Sequence, residues 1–172
     1  MVLFSGPSRA HEIQPAIADL LFSENGSSYE LDITLNLEAV LAGIGAEHDD
    51  TDNSPQANEY NALRARSSAE LEDMILSQKS TFLDKITLTA GDQPLTKTFL
   101  KVTVPDMPDL SVARPSRVAL SGNLPVDADN ITFSWAPEFG AIVLRGPLSD
   151  NGEGYSGYLQ NGASSDPISI KG

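Results

Sequence analysis

The sequence predicts a mainly β fold, α+β by a looser definition: an antiparallel β-sandwich with a two-helix insertion. Three observations predict it. Tyr29-Glu-Leu-Asp-Ile-Thr-Leu-Asn-Leu37 places an apolar residue at every second position over nine residues, the period of a strand with one wet face. From residue 85 onward, seven short β-prone segments alternate with turn clusters such as Gly91-Asp92, Pro105-Asp106, Gly122-Asn123 and Asp150-Asn151-Gly152. Between residues 38 and 84 that rhythm stops, and helix start and stop signals replace it.

Taken in order, Ala16–Phe22 is strand-like and is joined to the Tyr29–Leu37 strand by Ser23-Glu-Asn-Gly-Ser27, whose Asn-Gly pair is hairpin chemistry. Glu38–Ala42 fits a short helical turn stopped by Gly43 and Gly45. Ser54-Pro55 reads as an N-cap with Pro at the first helical position, opening a helix to about Arg64. Ser67-x-x-Glu70 is a capping box, and Leu71, Met74, Ile75, Phe82 and Leu83 fall on one stripe of a second helix over 69–84. The later strands are expected at 85–90, 96–104, 117–121, 130–135, 141–145, 155–159 and 167–170. Many short strands at this spacing favour a sandwich, and there is no internal repeat to favour a solenoid.

A length of 172 residues suits one domain with its own core. Residues 1–10 form an unusual start: the apolar stretch is too short for a complete signal peptide, yet Ser8-Arg9-Ala10 has small residues where a signal peptidase reads. They are expected to be a signal-peptide remnant or a disordered terminus. Residues 11–172 are then a single extracytoplasmic sandwich domain with the helical insertion at about 38–84, and if residues 1–10 are a signal remnant, the mature protein begins at His11.

Lys and Arg number 11 against 24 Asp and Glu, a net charge of −13, which disfavours nucleic acid and anionic lipid and favours cations. The chain has no Cys, so disulfides, thiolate metal sites and cysteine nucleophiles are excluded. No apolar run reaches membrane-spanning length.

Candidate chemistry concentrates on the two histidines. His11 precedes Glu12, and His48 sits in Glu47-His48-Asp49-Asp50-Thr51-Asp52. Imidazole suits borderline transition metals, and carboxylates add charge and oxygen donors. His11, His48, Asp49, Asp50 and Asp52 are therefore the candidate metal ligands. Were His11 the first residue, its amine and ring nitrogen could chelate one ion, an arrangement that suits Cu(II) or Ni(II). Read without that pairing, His11 is an exposed terminal residue and the 47–52 run a solvated acidic loop.

Other matches fail. Asp50-x-Asp52 resembles the start of an EF-hand loop, but the sixth position is Pro55 and the twelfth is Asn61. Asp127-Ala-Asp129-Asn130 reads as a turn. No nucleophile elbow is present, Gly152-x-Gly154-x-x-Gly157 lacks the helix a phosphate loop needs, and the chain is not expected to be an enzyme. Phe133 and Trp135 alternate with Thr132 and Ser134 and so read as core, not as a ligand platform.

The segments Ala10-His-Glu-Ile-Gln-Pro-Ala16, Leu35 to Asp52, Phe133-Ser-Trp-Ala-Pro-Glu-Phe-Gly140 and Tyr155-Ser-Gly-Tyr-Leu159 together resemble the exported N-terminal region of bacterial HupE/UreJ-like membrane proteins, over nearly the whole chain. The resemblance implies a periplasmic or extracytoplasmic domain, tethered to the membrane by a C-terminal transmembrane region that this chain lacks. It also implies handling of a divalent metal such as nickel or cobalt. The histidine-rich transmembrane motif that carries the permease assignment in that family is absent here. Two readings follow: a domain that binds or delivers nickel, cobalt or copper through His11 and the His48 loop, or a β-sandwich interaction module with no metal role. What separates them is whether both imidazoles can approach one ion to about 2.0–2.1 Å.

Overall fold

The computed structural model describes residues 14–45, 54–107, 109–110, 112–148 and 152–170. The chain is mainly β, with two sheets. β1 (Ala16–Phe22) and β2 (Ser28–Asn36) form the expected hairpin, and the turn between them uses Gly26 at φ 63°. Leu31, Ile33 and Leu35 of β2 and Leu37 just beyond it all face the interior, as the alternation predicts.

After β2 come α1 (Leu37–Ala42), α2 (Ala57–Arg64), α3 (Ser68–Ser77) and α4 (Lys79–Asp84). Then follow β3 (Ile86–Ala90), β4 (Gln93–Pro94), β5 (Thr98–Thr103), β6 (Pro115–Asn123), β7 (Asn130–Trp135), β8 (Ile142–Leu148), β9 (Gly154–Leu159) and β10 (Ile168–Ser169). One sheet has the order β5-β6-β2-β1-β8-β9 and the other β10-β7-β3-β4. Every pairing is antiparallel except β1 with β8, where Ala16 lies beside Ile142 and Asp19 beside Arg145. That parallel pairing is non-local, and no periodicity announces it.

The helical insertion differs in detail from the two helices expected. α1 is a true helix, capped at its start by Asn36, whose Oδ1 accepts from the Ala39 amide at 3.1 Å, and stopped by Gly43 at φ 71°. α2 starts two residues later than expected, because Ser54 forms a local turn: its Oγ accepts from the Gln56 amide at 3.1 Å. The stretch 69–84 is two helices, broken at Gln78, whose backbone (φ −108°, ψ 13°) leaves the helical range. The capping box forms: Ser67 Oγ accepts from the Glu70 amide, and Glu70 Oε2 accepts from the Ser67 amide at 2.9 Å.

One continuous core joins the two sheets to the helices. It contains Leu20, Leu31, Ile33, Val118, Leu120, Ile142 and Leu144 from the larger sheet, Ile86, Leu88, Ile131, Phe133 and Trp135 from the smaller, and Leu63, Leu71, Ile75 and Phe82 from the helices. Phe82 stacks on Phe139 at 5.5 Å, and Phe139 meets the edge of Trp135 at 5.4 Å, so these aromatics are spent on packing. Tyr29 crosses the interior to donate its hydroxyl to the Thr96 carbonyl at 2.8 Å, and burial pushes its pKa up to about 12. Gly122 is what lets it pass: a Cβ there would lie 2.5 Å from the Tyr29 ring and 2.2 Å from the Thr96 oxygen.

Candidate functional site

The β1–β2 hairpin decides where the site residues are anchored. Its register pairs Ile17 with Thr34, so the start of β1 lies beside the end of β2. The same end of the sheet carries the start of β6, since Asn36 pairs with Pro115, and the start of β8, since the Ala16 amide donates to the Ala141 carbonyl at 3.0 Å. α1 leaves β2 at this end and packs on α2.

Against these helices sits a charged cluster enclosed by protein. Glu38 of α1 has no exposed side-chain surface, and Arg64 of α2 and Arg114, immediately before β6, are each 3 % exposed. Arg114 Nε lies 3.1 Å from Glu38 Oε1 and Arg64 Nη1 lies 3.8 Å from it. Neither approach is aligned as a hydrogen bond, and the two carboxylate oxygens have no hydrogen-bonding partner. The guanidinium groups spend their other donors on backbone. Arg64 Nη2 donates to the carbonyls of Leu110 (2.6 Å) and Val112, and Arg114 Nη2 to those of Arg64 (3.1 Å) and Arg66 (3.4 Å). Arg64 also lies over the Tyr60 ring at 5.9 Å, and the Tyr60 hydroxyl accepts from Asn36 Nδ2 at 3.0 Å. The cluster thus ties β2, α1, α2 and the strand leading into β6 together.

Burial raises the Glu38 pKa above its ordinary value, against the pull of its own backbone amide and of the two guanidinium charges. The carboxyl has no surface in reach of solvent, and the cluster serves as a structural tie between these elements.

His11, His48, Asp49, Asp50 and Asp52, the five residues singled out by sequence as metal ligands, all lie outside the described residues. In sequence, His11 precedes Gln14 and β1, and His48 to Asp52 fall between α1 and α2. Among the described residues no group of three or more His, Cys, Asp or Glu could hold a metal, and no helix is long and apolar enough to cross a membrane. Asp127-Ala128 occupies a turn closed by the Ala128 amide on the Pro125 carbonyl, and Gly154–Leu159 is strand, as expected.

Sequence reasoning missed Glu38, Arg64 and Arg114. A local signal existed: Glu38 is the one charged residue in the otherwise apolar run Leu37-Glu-Ala-Val-Leu-Ala42. Its partners lie 26 and 76 positions away, in contexts that look like ordinary surface.

The face of the larger sheet turned away from the core is open among the described residues. Two forked ion pairs cross it: Arg145 to Asp19, with both bonds at 2.6 Å, and Arg117 to Asp32. Exposed Ile17 and Leu21 lie on β1 beside them, and Asp32, Lys101, Thr103, Arg117 and Ala119 line a shallow, open depression of about 370 Å³. No family model matches the chain, and no curated protein matches it.

Proposed function

We propose that this chain is the extracytoplasmic sandwich domain of a HupE/UreJ-like membrane protein, and that it takes up a divalent transition metal (nickel, cobalt or copper) with His11 and the His48 loop. One observation supports this most: the β1–β2 register, which sets the start of β1 and the start of α1, the elements nearest the two histidines in sequence, at one end of one sheet. His11 is three residues from Gln14, and His48 is three residues from Gly45. Three residues span at most about 10 Å, which keeps His11 near the start of β1 and His48 near Gly45, just past α1. The carboxylates of Asp49, Asp50 and Asp52 would supply the charge that offsets dehydration of the ion.

The test is metal titration by calorimetry. A chain beginning at His11 binds Cu(II) or Ni(II) more tightly than one carrying residues 1–10, because the free amine joins the ring nitrogen. His11→Ala and His48→Ala each weaken binding, and affinity falls as pH drops through about 6.5, where imidazole is protonated. Equal, millimolar binding by all four proteins overturns the site. A second reading, the interaction module, is favoured by the outer face of the larger sheet, which is open among the described residues.

A further inference from the structure

The two edges of the six-stranded sheet differ in how they are protected. On the β5 edge the register slips between Phe99 and Lys101, Lys97 and Lys101 flank the slip, and Pro105 follows. α3 packs on that strand, and its Glu72 accepts from the Val104 amide at 3.0 Å. Bulges, lysines, prolines and covering helices are how an edge is kept from pairing with another chain.

The β9 strand itself has no Lys and no Pro, although its pairing with β8 also shifts register, between Arg145 and Leu148. Gly154-Tyr-Ser-Gly-Tyr-Leu159 carries no charge and no Pro, is paired with β8 on one side, and among the described residues pairs with no strand on the other. Gly154 and Ser156 are exposed, while the Tyr155 ring lies over Gly157. Beside it runs an apolar row: Tyr158, 59 % exposed, is level with Val143, which is level with Ile17. Leu148, 74 % exposed, lies near the other end of the strand.

We propose that β9 is an augmentation strand that takes up an extended, basic segment of a partner protein as a seventh strand. Main-chain hydrogen bonds along Gly154–Leu159 would hold the segment, and every second side chain would lie beside Tyr158 and continue the apolar row. Charge selects the occupant. With a net charge of −13 the domain attracts a basic segment and repels an acidic one or a second copy of itself. Size points the same way: an edge about 20 Å long buries less than the roughly 1,200–2,000 Å² of a stable protein pair, which suits a short peptide better than a dimer. The proposal rests on the interaction-module reading and is independent of metal binding.

The probe is a synthetic peptide of about eight residues, alternating Thr and Val with Lys at both ends, against a counterpart with Glu in place of Lys. Fluorescence anisotropy gives affinity at low and high salt, and amide exchange by NMR locates the contact. The Lys peptide is expected to bind, to weaken with salt, and to protect amides within 154–159. Ser156→Pro and Ser156→Lys should each weaken it by about tenfold or more, the Lys variant with an unchanged thermal melt. Full affinity in Ser156→Lys, equal binding of the Glu peptide, binding of neither peptide, or self-association through 154–159 overturns the proposal. Protection of Ile17 and Leu21 without β9 overturns it too, while leaving the interaction-module reading intact.

Discussion

The interior between the sheets and the helical end of the sandwich are held by opposite kinds of chemistry. Leu31, Ile33, Val118 and Leu144 of the larger sheet face the interior as fully buried apolar side chains, each replaceable by another of similar volume. At the end, Glu38 meets Arg64 and Arg114 in equal burial, where two cations face one anion and each depends on the others. An apolar core tolerates error because its attraction is non-directional. A buried charge does not, since removing one partner leaves the rest unpaid for by solvent.

The largest effect should therefore come from the end and not from the interior. Arg114→Ala strips Glu38 of its nearer cation and leaves the Arg64 and Arg66 carbonyls without that donor, and should cost about 3–5 kcal/mol in chemical denaturation. A loss close to that of a surface substitution would mean the cluster is hydrated and would dissolve the contrast.

Ile33→Ala is the matching test of the interior. It should cost about 2–5 kcal/mol, set by how far the cavity collapses. A loss under about 0.5 kcal/mol would put Ile33 outside the packed interior.

Smaller again is the capping box that starts α3, the helix that covers β5. Ser67→Ala removes the acceptor for the Glu70 amide and should cost about 1 kcal/mol. Because the box is exposed, double substitution with Ile33→Ala should be additive within about 0.5 kcal/mol by denaturant titration.

The pH dependence sharpens the comparison by its sign. Burial raises Glu38 above its ordinary value of 4.5, so in the window between 4.5 and the raised value the folded chain binds its proton more tightly than the unfolded chain. Glu38 therefore contributes stability that is gained as pH falls toward 4.5 and lost as pH rises through the folded value. Glu70, lowered by the Ser67 amide, and Glu138, lowered by the Lys85 ammonium, slope the other way, but both are exposed and unchanged in Glu38→Gln. Subtracting the stability curve of Glu38→Gln from that of the parent should leave a difference that declines with rising pH. A difference that climbs would mean the two arginines, not burial, govern Glu38.

Most strands and the capping box could be read directly from residue order, because period-2 alternation, Asn25-Gly26 and Ser67-x-x-Glu70 are local codes that act within a few residues. The helix break at Gln78 has no local signal because the apolar stripe of 69–84 continues through it; α4 carries Phe82 against Phe99 and Phe139. For the candidate site, residue order marked His11 and His48–Asp52 by composition alone. That the start of β1 and the start of α1 lie at one end of the sheet is a property of the hairpin register.

By itself, then, the sequence determined most of the strands though not β4, where the hairpin turns, which faces of β2 and α3 are apolar, and that the whole is acidic and free of thiols. Tertiary structure alone decided the parallel union of β1 with β8, the passage of Tyr29 past Gly122 to Thr96, and the meeting of Glu38 with Arg64 and Arg114. The division has one physical reason. Backbone preference and solvent exposure act over a few neighbouring residues and are written in their order, whereas burial of a charge or a close backbone approach depends on partners that only the closed fold brings within about 3–4 Å.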